Sequence, residues 1–219
     1  MIKNIIFDFD GVIADSEILV AKAFSKFLES KNIEFSEKEF SKYAGKKTIQ
    51  VIDELSVRFN IKDQKVFFDD IMNIANNIYS TDLLPVKGVR NFLENNSKKI
   101  FIGSNSLKKR IIIGLKNIKL DHFFKEDKIF SFDLVENPKP FPDVYLKVIK
   151  THNLNKNETI IIEDSSVGVQ SGVAAGIKVV GLTAGGHWHE GRTKQELIDS
   201  GTSYIINTYD ELKEIINRL

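Results

Sequence analysis

Asp8 and Asp10 stand two residues apart at the end of an apolar run, in "IIFDFDGVIADSE", and Gly11 breaks the pattern directly after them. Residues two apart in an extended strand share a face, which places the two carboxylates within about 7 Å of each other. Like charges at the end of a buried strand repel, so a cation or a set of donors is needed to keep both ionised. A second run, "KKIFIGSNS", stops at Ser104 and Asn105, and a third, "TIIIEDSS", stops at Glu163, Asp164 and Ser165. If the three runs are neighbouring strands, four carboxylates, a hydroxyl and an amide converge at one edge. So many oxygen donors, with no cysteine in the chain and no histidine in these motifs, suit a hard divalent cation, Mg²⁺ rather than zinc.

A carboxylate beside such a cation can be a plain ligand. It can also attack an electrophilic phosphorus and form an aspartyl phosphate, dividing one difficult displacement into two easier ones. Asp10 would then protonate the leaving oxygen and afterwards activate water. Ser104 and Asn105 would donate to the transferring phosphoryl oxygens, together with strand-end backbone amides. Lys139, in "ENPKPFPD", would supply positive charge from a stiff loop bracketed by Pro138 and Pro140.

The elements that must position these groups follow from composition and pattern. A chain of 219 residues with 42% hydrophobic content suits one large domain or one domain carrying a smaller insertion. A formal charge of +1 and a pI near 7.8 give neither a nucleic-acid stripe nor an electrostatic membrane anchor. The absence of cysteine excludes disulfide frameworks and thiolate sites. The first apolar run is too short and too acidic for a signal peptide or a spanning helix. These features describe a cytoplasmic protein, a monomer for want of any interface signal, with a small metabolite rather than nucleic acid or membrane as its partner.

Short β-rich runs occur at Ile2 to Phe9, Lys99 to Ser104, Lys128 to Phe130, Thr159 to Ile162, Lys178 to Leu182 and Tyr204 to Ile206, most of them followed by helical spacing. That alternation predicts an α/β fold with a parallel sheet covered by helices. Residues 15–81 depart from it: Val20, Phe24, Phe27 and Leu28 share a helical face, Ser36 and Glu39 are spaced as a capping box, and Ile52, Leu55 and Phe59 line another helix. This stretch is expected to be a helical insertion between a core of residues 1–14 and 82–219, with Leu84 to Gly88 marking the return. Gly168, Gly172 and Gly176 are spaced for close helix packing on a sheet rather than for a nucleotide loop. "GGHWHEG", with His187 and His189, offers too few ligands for a metal site and is expected to be an ordinary loop.

Taken together, "FDFDGVIADSE", "IGSNS", "NPKPFPDVY" and "IIEDSSVGVQSGVAAGIKVVGL" resemble the four ordered motifs of the haloacid dehalogenase superfamily, over a span from the first strand to about Leu182. The branch most similar is the one holding β-phosphoglucomutase and sugar-phosphate phosphatases. The resemblance implies a Rossmann-like core with a small helical cap inserted after the first strand. It implies Asp8 as nucleophile, Asp10 as general acid and base, Ser104 as phosphate-binding hydroxyl and Lys139 as charge-stabilising lysine. Mg²⁺ would be held by Asp8, the Asp10 carbonyl, Glu163 and Asp164. Gly11 and Asn105 would line the phosphate site. In the cap loop "YAGKKT", Gly45, Lys46 and Lys47 would meet the leaving group, the alternative for the lysines being a solvated turn.

Asp10 argues against the dehalogenases, which lack the second aspartate. Phosphoglucomutases carry a histidine where this chain has Val20, and an arginine where it has Thr48, so hydrolysis of a phosphomonoester is favoured over mutase chemistry. Receiver domains of signalling proteins also pair a phosphoaccepting aspartate with Mg²⁺ on a parallel sheet. Such a switch needs neither Asp10 nor a helical insertion.

Overall fold

The computed structural model describes residues 1–40, 43, 48–188 and 192–219. The chain divides into two compact units, Ser16–Leu83 and Met1–Asp15 with Leu84–Leu219. Gly45, Lys46, Lys47 and His189 lie outside the described residues.

The smaller unit is helical, with α1 (Glu17–Ser30), α2 (Glu37–Phe40), α3 (Thr48–Phe59) and α4 (Gln64–Thr81). The capping box forms: Glu39 N donates to Ser36 Oγ at 3.2 Å, and Glu39 Oε2 lies 3.5 Å from Ser36 N. Phe24, Phe27 and Leu28 are buried on α1 as their spacing predicts, while Val20 is half-buried. Phe67 of α4 completes this core, stacked on Phe27 at 4.7 Å and edge-on to Phe24 at 5.8 Å. Ile52 and Leu55 are buried on α3, and Phe59 packs edge-on against Phe35 at 6.0 Å.

The larger unit holds β1 (Asn4–Phe7), α5 (Val89–Glu94), β2 (Lys99–Ser104), α6 (Lys108–Asn117), β3 (Ile129–Ser131), α7 (Asp143–His152), β4 (Thr159–Glu163), α8 (Ser166–Ala174), β5 (Lys178–Leu182), α9 (Gln195–Asp199), β6 (Tyr204–Ile206) and α10 (Tyr209–Arg218). All neighbouring strands run parallel, in the order β3-β2-β1-β4-β5-β6. Helices cover both faces. Ile6, Phe101, Ile161 and Val179 share one core cluster with Val144 and Tyr145 of α7, Val169 of α8 and Leu197 of α9. On the other face Phe7 meets Phe92 at 6.0 Å, and Phe92 meets Tyr209 at 5.4 Å. Burial from both sides is why the strands read as nearly unbroken apolar runs.

β1 is central, and Phe7 lies opposite Ile102 of β2 and Ile162 of β4. The chain winds outward in both directions from it, so the strand order reverses between β1 and β4, whose carboxyl ends are where open α/β sheets bind ligands. The first strand is shorter than its apolar run. It ends at Phe7, and the chain then turns back on itself: Ile13 N and Ala14 N both donate to Phe9 O at 2.9 Å. Gly11 permits the turn with φ +75°. Asp8 and Asp10 therefore follow the strand rather than alternate along it, a correction to the expected geometry. Tyr209 braces the turn from α10 by donating to Val12 O at 2.8 Å.

Where the smaller unit leaves and rejoins the larger one, the two chain passages are paired. Asp15 N donates to Leu84 O and Val86 N to Ile13 O, each at 2.9 Å. Among the described residues no helix is long and apolar enough to cross a membrane.

Candidate active site

Asp8 extends the β1–β4 ladder by one residue, its N–H donating to Ile162 O at 2.9 Å, which sets its side chain beside Glu163. Asp8, Ser104, Lys139, Glu163 and Asp164 are all buried, and Asp10 is half-buried. Lys139 reaches the strand ends from the loop before α7. Its Nζ lies 2.6 Å from Asp8 Oδ1 and 2.6 Å from Glu163 Oε1. Asn105 fixes that loop, accepting from Lys139 N at 2.9 Å and donating to Lys139 O at 3.1 Å. The carbonyl and one N–H of the Asn105 amide are thus engaged by the lysine's backbone.

Both oxygens of Glu163 are engaged as well. Oε1 accepts from Lys139 and from the Tyr145 hydroxyl at 2.7 Å, while Oε2 accepts from Asp164 N at 3.1 Å, Ser165 N at 3.3 Å and Ser165 Oγ at 3.1 Å. Five donors occupy the usual acceptor capacity of a carboxylate. Glu163 belongs to the carboxylate cluster and, in this geometry, also anchors Lys139. Gly168 makes room for it, since a Cβ there would stand 1.7 to 2.2 Å from the Glu163 carboxylate. Packing on the sheet, the role expected of the glycine series, describes Gly172, whose Cβ would press on Val179 at 2.5 Å and Ile161 at 3.0 Å.

Tyr145 closes the motif "NPKPFPDVY" at a position whose helical spacing marks it only as apolar. Its ring lies under Lys139 Nζ, 4.7 Å from the ammonium. Burial, reinforced by the charge of Glu163, pushes the phenol well above its ordinary pKa and keeps it a neutral donor. Tyr145→Phe retains the ring and removes only the bond to Glu163. We expect urea unfolding to report a loss of about 1.5–3 kcal/mol, the range for a hydrogen bond to a charged acceptor. An unchanged midpoint and slope would show that the hydroxyl is idle.

Asp10 is held from the β2 side. Its Oδ2 accepts from Ser106 Oγ at 2.5 Å, and Arg110 Nη2 stands 4.0 Å from its Oδ1. Ser106 N in turn donates to Ser104 Oγ at 3.0 Å, leaving Ser104 its own hydroxyl proton to donate. Ser106 is the last residue of "IGSNS", and its spacing of two from Ser104 was the available signal.

Oxygens of Asp8, Glu163 and Asp164 lie within 4.8 Å of one another. Burial would lower the Lys139 pKa, but Asp8 and Glu163 outweigh it and hold the side chain as an ammonium. Asp8 is pushed well above the usual carboxylate range, chiefly by burial and further by Glu163, Asp164 and Asp10, against the pull of Lys139. One ammonium faces several buried carboxylates. That excess of negative charge, on hard oxygen donors, fits a divalent cation held by Asp8 and Asp164.

One histidine of "GGHWHEG" reaches the carboxylate cluster. His187 Nε2 lies 3.0 Å from Asp164 Oδ2, brought there by the turn after β5. No periodicity marks such a residue, because its position depends on how a loop folds back over the strand ends.

The family model of haloacid dehalogenase-like hydrolases matches residues 5–182. Among curated proteins the chain is similar to 6-phosphogluconate phosphatase of Escherichia coli (strain K12), 25% identical over 188 residues that span 85% of each chain. It is 26% identical over 222 residues to phosphorylated carbohydrates phosphatase of Thermotoga maritima, with 99% of this chain and 98% of that one covered. Among solved structures, a conserved haloacid dehalogenase-like protein of unknown function from Agrobacterium tumefaciens aligns with TM-score 0.87 at 26% identity, covering 100% of this chain and 99% of that one. The parallel sheet with Asp8 at the end of its central strand and the match over all four motifs agree: the chain belongs to the haloacid dehalogenase-like hydrolases.

Proposed function

We infer that the protein is a Mg²⁺-dependent phosphatase that hydrolyses a small phosphorylated carbohydrate through an aspartyl phosphate on Asp8. The observation that carries this reading is Asp8 itself, buried at the end of the central strand, 2.6 Å from the Lys139 ammonium and clustered with Asp164. The likeness to two phosphatases of phosphorylated sugars or sugar acids supports the substrate class.

An Asp8 oxygen attacks phosphorus as the bond from phosphorus to the leaving oxygen breaks, and protonated Asp10 gives its proton to that oxygen. Asp10, now a carboxylate, takes a proton from water. The water oxygen attacks phosphorus, the bond to Asp8 breaks, and inorganic phosphate leaves with Asp8 restored. Lys139 and the Ser104 hydroxyl stabilise charge on the equatorial oxygens throughout, while Ser106 and Arg110 orient Asp10. Asp8, Asp164 and the Asp10 carbonyl would hold Mg²⁺, which would supply neutralisation of negative charge at the site. Gly45, Lys46 and Lys47 are proposed to meet the leaving group.

Release of inorganic phosphate from phosphorylated sugars and sugar acids, with pyrophosphate alongside, tests the reading. Mg²⁺-dependent release that favours the carbohydrate esters is expected, and chelation should abolish it. Preferential pyrophosphate cleavage would overturn the substrate class. Isomerised sugar phosphate without phosphate release would establish a mutase, despite Val20 and Thr48.

A further inference from the structure

We propose that His187 is a positioning residue for the cation site: its Nε2–H donates to Asp164 Oδ2 and sets the plane in which that carboxylate meets the ion. The inference rests on the reading of Asp164 as a cation ligand. The contact is 3.0 Å long, and both side chains are largely enclosed, 12% and 6% exposed. Asp164 has little freedom on its other side. A Cβ on Gly11 would lie 1.9 Å from the same Oδ2 and 2.9 Å from the His187 ring, so this oxygen is packed between the backbone of the Asp10–Gly11 turn and the imidazole.

The loop that delivers His187 is tied at several points. Gly186 N donates to Asp15 Oδ1 at 2.9 Å, and Trp188 N donates to Gly185 O at 3.0 Å. Trp188 packs on the core cluster of the larger unit, and the Arg192 guanidinium lies over its indole at 3.9 Å. Gly185 allows the close approach, because a Cβ there would stand 2.8 Å from Gly11 O. The loop, the Gly11 turn and the β4 end are thus interlocked around one carboxylate. A ligand held by a second partner binds its ion in one orientation without first losing rotational freedom, and removal of such a partner commonly weakens metal affinity 10- to 100-fold, by about that order.

Calorimetric titration of Mg²⁺ into the chelator-treated protein tests this directly, without reference to turnover. His187→Ala is expected to raise the dissociation constant about tenfold or more. His187→Gln, whose side-chain amide can donate from nearly the position of Nε2, should recover most of the affinity. All three proteins should show one cooperative thermal transition in chelator, with His187→Ala the lowest because it loses a hydrogen bond to a charged acceptor. Wild-type affinity in His187→Ala would overturn the proposal, as would a Gln variant no better than the Ala variant. Failure of the wild-type protein to bind Mg²⁺ at all would instead bring down the reading of Asp164 on which the proposal stands.

Discussion

Asp8→Asn is expected to lower phosphate release by about 10⁴-fold or more, roughly 5.5 kcal/mol of transition-state stabilisation, while leaving a folded protein. The amide has nearly the shape of the carboxylate and no electron pair able to displace an alkoxide from phosphorus. The sign of the stability change separates a lost nucleophile from a lost fold. Burial and the neighbouring carboxylates raise the Asp8 pKa on folding, so the folded chain binds that proton more readily than the unfolded one. The stability tied to this group is present at low pH and is lost as pH rises through the folded value. At neutral pH without cation the favourable contribution of this group is reduced relative to low pH, and the Asn variant should melt no lower than the wild type. A lower melting temperature with residual Mg²⁺-dependent turnover would show that Asp8 is structural and that another group attacks phosphorus.

Lys139→Met should be the most destabilising single change at the site. Met fills a similar volume without charge, and it leaves Asp8 and Glu163 buried with their shared partner gone. Removing one member of a buried ion pair costs about 3–5 kcal/mol because the charge left behind stays desolvated. Turnover should fall by about 10²–10³-fold through lost stabilisation of the phosphoryl oxygens. Urea unfolding in chelator reads the first effect, and added Mg²⁺ should return part of the stability, since a cation that binds only the folded state favours it by mass action. A variant as stable as the wild type in chelator would mean that the two carboxylates are not held by this lysine.

Much of this arrangement is legible in the residues alone, for definite physical reasons. "TIIIEDSS" and "KKIFIGSNS" announce strands because a parallel sheet buried on both faces demands continuous apolar runs, and the polar residues where such runs stop fall at the ligand-binding edge. Lys139 is legible from the prolines on either side of it. What local pattern does not carry is the partner of each group. Asn105 has the chemistry to bind phosphate, and only the fold shows that its carbonyl and one N–H also hold the Lys139 backbone. Tyr145 reads as one more apolar position of a helix, yet Gly103 of β2 leaves space for its ring and its hydroxyl completes Glu163. His187 sits in a glycine-rich loop without periodicity, and its contact with Asp164 spans residues that no sequence window joins.

The paired passages at Asp15 and Leu84 have a consequence for how such a protein diversifies. Because the chain leaves the sheet and returns to it within one hydrogen bond of the same place, the 16–83 segment is spliced in like a cassette. Its length costs the parent fold little closure entropy. Selection can therefore lengthen, shorten or exchange that segment while the pairing of Ile13 and Asp15 with Leu84 and Val86 stays as it is.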